Sequence, residues 1–556
     1  MQRIYPRIRF QGNDLLNRLG TIYSQTLNDL LMKVDEGSGS YPKGFLHTST
    51  TTLTEPNYYD QMWARDVGRG ISELVRYGFL EDAQQVVDYI LETGKSFGDH
   101  YGRLLNRRYG SHEVDGNVSV LMGIYMLWKY TGQQADAGKH YLANAMDIFR
   151  WFESLSGLCP YDDLLASKSE LSGNPETDYF IYALWATYGA AVAAYAYSDM
   201  AGTCRDFESQ AYLAQLGDSF CRSLENRLVS RGPEGGQDTK TPSGVWINGI
   251  DQRTGKAAET GDFGPLFDIS RWTRQLPFIQ DYDYGSSNSP TGRFREINRR
   301  SYEYITAGMN EGLYFRKYGF VSNTCFSGMG GRHDDTMAGY GQNYFTQAAL
   351  LFDDVNIYTK CFEGIARLAY DGNITAPMTI DLNPWVMHEC FTYENYESGL
   401  DHTFGRHENP YRHIMYNPGD EGNLVQSAET LKTIALAVGI TAEGHTLFLQ
   451  PRVPWECEHA IVTDYPVPAP DHTLARISYR YDLERWKNLF TISVSGLEKF
   501  DTLIFRIGPL PYLLCNENEL SEEWKISHDY GASFAVKKIT GNRRSCMTIE
   551  LRNEKL

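Results

Sequence analysis

Three side chains suited to binding a polar ligand occur together in the segment MWARDVGRG, residues 62–70. Trp63 has an aromatic face that can stack on the C–H face of a sugar ring. Arg65 and Asp66 provide a rigid set of donors and a charged acceptor for neighbouring hydroxyl groups. The apolar periodicity that follows predicts that these residues lie in the first turn of a helix. Because a carboxylate also stabilises a helix N-terminus, a purely structural role for Asp66 is the alternative.

Two further aspartates stand at the start of predicted helices. Asp115 lies in SHEVDGN, where Asn117 can cap the helix, and Asp178 lies in PETDYFIYALW. A general acid needs a carboxyl group whose pKa is raised by burial, and the aromatic residues after Asp178, including Trp185, would provide such surroundings. Favourable charge at a helix N-terminus is the alternative role for both aspartates.

A long acidic and aromatic segment, residues 382–423, supplies candidates for a base that activates water. Glu389 follows the apolar stretch PWVM, and Glu421 lies in NPGDEGN. Trp385 and His388 precede Glu389 closely and are predicted to contact the substrate. The segment contains four histidines, but none forms a pair with the helical spacing of a metal site, so no metal is predicted. Phosphate-binding and dinucleotide-binding glycine motifs are also missing, and we therefore predict no cofactor.

The composition argues against several classes of partner. A formal net charge of −18 disfavours nucleic acid and anionic membranes. No run of about 18 apolar residues predicts a transmembrane helix. The aromatic fraction of 13% suits a ligand that is half apolar, such as an oligosaccharide or polysaccharide. A large, tyrosine-rich helical core is the alternative, and composition alone favours it. The N-terminus lacks an apolar signal core, so we expect a cytoplasmic protein, or a periplasmic or secreted one if a signal peptide has been removed. The oligomeric state is not indicated.

Two kinds of periodicity divide the chain. From about residue 15 to residue 440 the apolar residues recur with a helical period, and short glycine turns separate successive helices. After residue 440 the period is two, broken by Gly, Pro and Asn. We therefore predict a mainly α protein, with a toroid of helical hairpins over residues 1–440 and a small C-terminal antiparallel β-sandwich over residues 441–556.

Four segments resemble those of the six-hairpin glycosidases, a superfamily that includes glucoamylases, glycogen-debranching amylo-α-1,6-glucosidases and α-L-rhamnosidases. They are MWARDVGRGISELVRYGFLEDA, YGSHEVDGNVSVLMGIYMLWKYTG, ETDYFIYALW and AVGITAEGHTLFLQPRVPWECEHA. The resemblance implies an (α/α)6 toroid with the active site at its mouth. Glucoamylases have two adjacent glutamates after a Leu-Trp pair, whereas Ala186 and Thr187 follow Leu184-Trp185 here. Starch-type specificity is therefore not implied.

The resemblance also implies roles for particular residues. Binding of the terminal, non-reducing-end sugar falls to Trp63, Arg65 and Asp66, with Asp115 lining the same subsite. Asp178 matches the general acid of the debranching-type members, and the base is a glutamate of the late loop region. The predicted site comprises catalytic Asp178, Glu389 and Glu421, and substrate-binding Trp63, Arg65, Asp66, Asp115, Trp185, Trp385 and His388.

The predicted function is an inverting, exo-acting glycoside hydrolase. In this scheme Asp178 protonates the leaving oxygen, and Glu389, or Glu421 as the second choice, deprotonates the attacking water. One alternative is a phosphorylase or an unsaturated-glycuronide hydrolase on the same fold. A cluster of four arginines, at positions 293, 295, 299 and 300, is the candidate anion site of a phosphorylase. The other alternative is a carbohydrate-binding protein without catalysis.

Overall fold

Helices dominate the part of the chain before residue 440. The computed structural model describes residues 3–37, 39, 41–48, 62–97, 114–168, 180–235, 241–252, 254–257, 290–309, 313–319, 337–369, 374–375, 385, 387, 390–393, 424–484, 489–510, 524–529 and 532–552. The helices of six or more residues in these ranges are α1 (Leu19–Met32), α2 (Ala64–Arg76), α3 (Leu80–Phe97), α4 (Val114–Tyr130), α5 (Ala135–Ser156), α6 (Leu184–Thr203), α7 (Phe207–Arg227), α8 (Arg295–Met309), α9 (Leu313–Tyr318), α10 (Gly339–Leu351), α11 (Val355–Leu368) and α12 (Leu424–Val438).

Helices α2, α4, α6, α10 and α12 form the buried inner part of a ring, and α8 completes it with one face exposed. Helix α2 packs against α4, α4 against α6, and α10 against α12, which also packs against α2 and α1 and so closes the ring. Helix α8 joins α6 to α10, because Asn298 donates a hydrogen bond to the Tyr188 hydroxyl at 3.3 Å and the Tyr302 ring stacks on Phe352 at 4.7 Å. Every residue of α12 is buried. The predicted toroid of helical hairpins is confirmed.

Neighbouring inner helices run in the same direction, because residues near the start of one helix contact residues near the start of the next. Arg65 near the start of α2 binds Asp115 near the start of α4. Towards the other end, Tyr125 of α4 donates a hydrogen bond to Asp199 of α6 at 2.7 Å. In the same order, Arg69 of α2 pairs with Glu429 of α12. The N-termini of the inner helices therefore gather at one end of the ring, which we call the mouth.

The strands lie in two large and two small sheets. They are β1 (Arg7–Gln11), β2 (Ala166–Lys168), β3 (Phe180–Ala183), β4 (Gly249–Asp251), β5 (Met337–Ala338), β6 (Ile374–Thr375), β7 (Cys390–Tyr393), β8 (Ile440–Glu443), β9 (Thr446–Leu449), β10 (His459–Pro468), β11 (Leu474–Glu484), β12 (Leu489–Ser495), β13 (Thr502–Leu510), β14 (Lys525–Asp529), β15 (Ala532–Thr540) and β16 (Cys546–Arg552). The small sheets, β2-β3-β4 and β5-β7-β6, immediately precede α6 and α10.

The two large sheets confirm the predicted β-domain. Their strand orders are β1-β10-β11-β12-β16 and β14-β15-β13-β9-β8. Neighbouring strands are antiparallel except β9 and β13, which are parallel. Strand β1, from the N-terminal end, pairs with β10, so this sheet is completed by residues that the sequence places with the helices. The boundaries predicted for the two domains, residues 1–440 and 441–556, stay a prediction.

The β-domain contacts the end of the ring opposite the mouth. A methyl group at Gly132, just after α4, would lie 2.6 Å from the Cβ atom of His472. The Tyr479 hydroxyl donates to the carbonyl of Val438, the last residue of α12. The C-termini of these helices therefore contact the sheets, at the end of the ring away from the mouth. None of the described helices has the length and hydropathy needed to span a bilayer.

Candidate active site

A bidentate ion pair between α2 and α4 is the central polar contact at the mouth. The Nε atom of Arg65 donates to Oδ2 of Asp115, and Nη2 lies 3.3 Å from Oδ1. The Asp115 side chain is 1% exposed and that of Arg65 is 17% exposed, so the pair is largely shielded from water. The two helices approach closely because residue 68 is glycine: a methyl group there would lie 2.1 Å from the Ser119 carbonyl carbon.

Thr48 ties the start of α12 to the start of α2. The Leu424 N–H, at the beginning of α12, donates to the Thr48 carbonyl at 2.7 Å, and the Trp63 N–H lies 3.4 Å from the Thr48 hydroxyl. Trp63 has an extended backbone and immediately precedes α2, as the sequence predicts for a helix start. Thr48 was not among the predicted site residues. Its role depends on contacts to two helices whose starts are 360 residues apart in the sequence (residues 64 and 424).

The aromatic residues predicted to bind substrate differ in their accessibility. Trp63 and Trp385 are half-buried, whereas Trp185, in the first turn of α6, is 4% exposed. Asp66 is buried in the first turn of α2. Of the three tryptophans, Trp63 therefore combines a partly accessible ring with a position beside the Arg65–Asp115 pair. The predicted residues Asp178, His388, Glu389 and Glu421 lie outside the described residues.

Two helices begin elsewhere than the sequence predicts. Residues 180–183 are strand β3, and α6 begins only at Leu184, because backbone donors of Ala183 and Leu184 bond to the carbonyls of Leu165 and Asn248 at 3.0 and 2.8 Å. These partners hold the chain extended where an aromatic helix is expected. Helix α4 begins at Val114, so Asn117 lies inside the helix and is not its cap. Asp115 is accordingly a residue of the first turn.

A buried polar cluster lies deeper in the ring and was not predicted. Glu429 of α12 pairs with Arg69 of α2 at 3.4 Å and accepts a hydrogen bond from Gln347 of α10 at 2.8 Å. Lys432 lies 3.7 Å from the same carboxylate. One turn further along α2, the carboxylate of Glu73 pairs with Arg76 at 3.0 Å. The sequence does contain a signal for this cluster, because charged residues recur at helical spacing within GRGISELVR and QSAETLK. Helices with such charges are normally assigned to the surface, so the buried cluster was not predicted.

Burial changes the pKa values of two members of this cluster. Desolvation raises the pKa of Glu73 to about 7, against the opposing effect of Arg76. Desolvation also lowers the pKa of Lys432 to about 8, although Glu429 favours its charged form. The folded protein therefore binds a proton at Glu73 at pH values where the unfolded chain has released it.

We predict that the Glu73→Gln variant gains stability relative to the parent protein as the pH rises. The Glu73 carboxyl titrates near 4.5 when unfolded and near 7 when folded, so its contribution to folding is complete below pH 4.5 and is lost as the pH rises through 7. Glutamine resembles the protonated form and has no such loss. Urea unfolding between pH 4.5 and 7.5 should show a relative gain of up to roughly 3 kcal/mol.

The exposed Glu81→Gln variant is the control for this experiment, and its stability relative to the parent protein should not change over the same pH range. A difference between the Glu73→Gln variant and the parent that is independent of pH would contradict the assignment of the titration to Glu73.

The arginines considered as an anion site are engaged elsewhere. Arg293 pairs with Glu225 at 2.7 Å, and on α8 Arg299 pairs with Glu303, and Arg300 with Glu296, both at 3.0 Å. The side chains of Arg299 and Arg300 are more than half exposed. Within the described part of the chain, these three arginines form ion pairs with neighbouring glutamates.

The described fold is similar to that of solved carbohydrate-active enzymes. It consists of a ring of helices with two β-sheets at the end opposite the mouth. An α-L-rhamnosidase from Dictyoglumus thermophilum shares this fold with a TM-score of 0.54 and 8% sequence identity. The match covers 99% of this chain and 50% of the rhamnosidase.

Other solved structures share the fold at similar distance. A native α-L-rhamnosidase from Aspergillus terreus matches with a TM-score of 0.51 and 9% identity over 99% of this chain and 50% of its own. A rhamnosidase of Bacillus sp. GL1 matches with a TM-score of 0.50 and 11% identity over 86% of this chain and 40% of its own. The chain thus spans half or less of their length. No protein-family model matches the sequence, and no curated protein matches it either.

Proposed function

We propose that this protein is an inverting, exo-acting glycoside hydrolase that removes the non-reducing-end sugar of an oligosaccharide or polysaccharide. The observation that carries the proposal is the Arg65–Asp115 ion pair at the mouth, beside the partly accessible ring of Trp63. A shielded, charged pair next to an aromatic face offers donors, acceptors and a stacking surface for one sugar ring. Because the mouth faces away from the β-domain, a chain end can enter from solvent.

The positions of the predicted catalytic carboxylates along the chain support this site. Asp178 lies two residues before β3, which leads directly into α6. Glu389 immediately precedes Cys390, the first residue of β7, and Cys390 pairs with Ala338, the residue before α10. Both small sheets thus stand at N-termini of inner helices. Chain connectivity therefore favours the delivery of Asp178 and Glu389 to the mouth from two different sides of the ring.

The proposed reaction is a single displacement at the anomeric carbon. Asp178 donates its proton to the glycosidic oxygen as the bond from that oxygen to the anomeric carbon breaks. Glu389 accepts a proton from the water that attacks the same carbon from the opposite face. An inverting enzyme of this kind places its two carboxyl groups roughly 6.5–9.5 Å apart, which leaves room for the water. Glu421, three residues before α12, is the second candidate for the base.

Hydrolysis and its stereochemistry can be tested with one screen. The protein is incubated with a panel of oligosaccharides of defined sugar, linkage and anomer, and released sugar is followed by proton NMR during the first turnovers. We expect release of a monosaccharide with the anomeric configuration opposite to that of the cleaved bond. Release of a sugar phosphate in phosphate buffer would support the phosphorylase alternative. Binding without any release would support a non-catalytic protein.

A further inference from the structure

Gln426, the third residue of α12, has an unusual environment. Its side chain is 0% exposed, and neither Oε1 nor Nε2 has a hydrogen-bond partner among the described residues. Burying an amide without partners costs roughly 1–3 kcal/mol. Within the described part of the chain, the hydrogen-bonding capacity of this side chain is therefore unused, and a bound ligand could take it up.

The orientation of Gln426 follows from its neighbours on α12. Glu429 lies three residues later, on the same face of the helix, and contacts both Arg69 of α2 and Gln347 of α10. Since α2 and α10 flank α12 in the ring, this face points towards the ring interior. Gln426 is one turn closer than Glu429 to the mouth, about 3 Å below the first residue of the helix.

Arg69 lies on the same side of α12 as Gln426, because it pairs with Glu429 one turn further along that helix. Its guanidinium carbon lies 5.4 Å from the centre of the Tyr344 ring on α10, so the side chain extends from α2 past α12. It is 3% exposed, and its Nη2 atom has no hydrogen-bond partner within the described ranges. Gln426 and Arg69 are thus both buried near Glu429, and among the described residues they leave one acceptor and at least two N–H donors unused.

We propose that Gln426 and Arg69 form the floor of the sugar-binding subsite and bind hydroxyl groups of the terminal sugar. A hydroxyl group both donates and accepts, and so can satisfy the Gln426 amide at both ends, while Arg69 donates to a second oxygen. Arg69 is one turn after Arg65 on α2, so the floor lies deeper in the ring than the Arg65–Asp115 pair. This inference rests on the proposed function and adds residues that determine which sugar is accepted.

The decisive variant is Gln426→Met, which preserves the length of the side chain and removes both polar atoms. Because the amide has no hydrogen-bond partner among the described residues, we expect the variant to melt at the same or a higher temperature than the parent. We expect its affinity for the bound sugar to fall by roughly tenfold to a hundredfold, from the loss of two hydrogen bonds. The probes are D-glucose, D-galactose and L-rhamnose, and the readouts are the melting temperature with and without each sugar and calorimetric titration.

Gln342 on α10 supplies a matched control. It is also 0% exposed, but its amide nitrogen donates to the carbonyls of Gly319 and Cys361 at 2.9 and 3.2 Å. Gln342→Met should lower the melting temperature and leave the sugar-induced increase intact. Gln426→Met is thus expected to weaken sugar binding without a loss of stability, whereas Gln342→Met is expected to lose stability without weakening sugar binding.

The outcomes separate this inference from the proposed function. If the parent protein binds a sugar and Gln426→Met binds it equally well, the amide is satisfied by water alone and the inference is overturned, while the proposed function stands. A Gln426→Met variant that is clearly less stable, with unchanged sugar affinity, would indicate a structural role and would also overturn it. If none of the three sugars stabilises the parent protein and no oligosaccharide of the panel is cleaved, both proposals fall together.

Discussion

Replacing Asp178 by asparagine is expected to lower kcat for oligosaccharide hydrolysis by about two to four orders of magnitude, the usual contribution of general acid–base catalysis. The amide has nearly the same size as the carboxyl group but cannot protonate the leaving oxygen. Glu389→Gln should cause a loss of similar size, since the amide cannot deprotonate water. Initial rates on the oligosaccharide identified in the screen measure both losses.

The leaving group distinguishes the two roles. The leaving group of a 4-nitrophenyl glycoside is 4-nitrophenolate, a stabilised anion that needs little protonation by an acid. Asp178→Asn should therefore recover most of its activity on this substrate. Glu389→Gln should not recover, because the attack of water still needs a base. Asp136→Asn, an exposed aspartate in the first turn of α5, is the control and should retain full activity.

Three results would change the assignment. Full activity of Asp178→Asn on the natural substrate would exclude it as the acid. Full activity of Glu389→Gln, together with a large loss in Glu421→Gln, would move the role of the base to Glu421. Products with retained anomeric configuration would replace the single displacement by a two-step reaction through a covalent intermediate.

The Asp353→Asn variant is expected to be destabilised by about 3–5 kcal/mol. Asp353 follows α10 and is 3% exposed. It accepts from Arg452 at 3.0 Å and pairs with Arg506, of strand β13, at 2.7 Å. Both arginines are buried, and the Arg506 guanidinium lies 3.8 Å from the centre of the Phe534 ring. Without the carboxylate, two buried cations would keep only a neutral amide between them.

Asparagine is the appropriate replacement because Asp353 has a φ of 56°, in the left-handed region that asparagine adopts readily. Loss of stability can then be assigned to charge and not to backbone strain. The neighbouring Asp354 is the matched control: it caps α11 by accepting from the Ile357 N–H at 3.2 Å, and its other oxygen accepts from the Tyr302 hydroxyl at 2.9 Å. Asparagine caps equally well, and its amide NH2 can donate to the same hydroxyl.

Urea unfolding, followed by tryptophan fluorescence, should show a change of less than about 1 kcal/mol for Asp354→Asn. A similarly small effect for Asp353→Asn would mean that the aspartate is not needed to neutralise the two arginines. Because the triad is buried, the loss in Asp353→Asn should also persist at high salt concentration.

Much of the architecture follows from local patterns in the sequence. The helical period before residue 440 and the period of two after it predicted the toroid and the β-domain, because each helix or strand must bury one apolar face. The start of α2 just after Trp63 was predicted for the same reason. These features depend on residues that are neighbours in the chain, so a single sequence is sufficient to find them.

The composition of the mouth was decided by tertiary structure. The sequence placed Asp66 beside Arg65, but the bonded partner is Asp115, which becomes a neighbour only because Gly68 lets α2 and α4 approach. It predicted a helix from Asp178 onwards, yet pairing with neighbouring strands keeps residues 180–183 extended.

The sequence by itself determined which elements form and which carboxylates and aromatic residues stand at their starts. Only the closed ring decided which of them meet. Gln426 and Arg69 lie at periodic positions of buried helices and resemble ordinary interior residues in the sequence. Their polar atoms without hydrogen-bond partners among the described residues became apparent only where α2, α10 and α12 pack together. Contacts of this kind join residues hundreds of positions apart, and local periodicity contains no information about them.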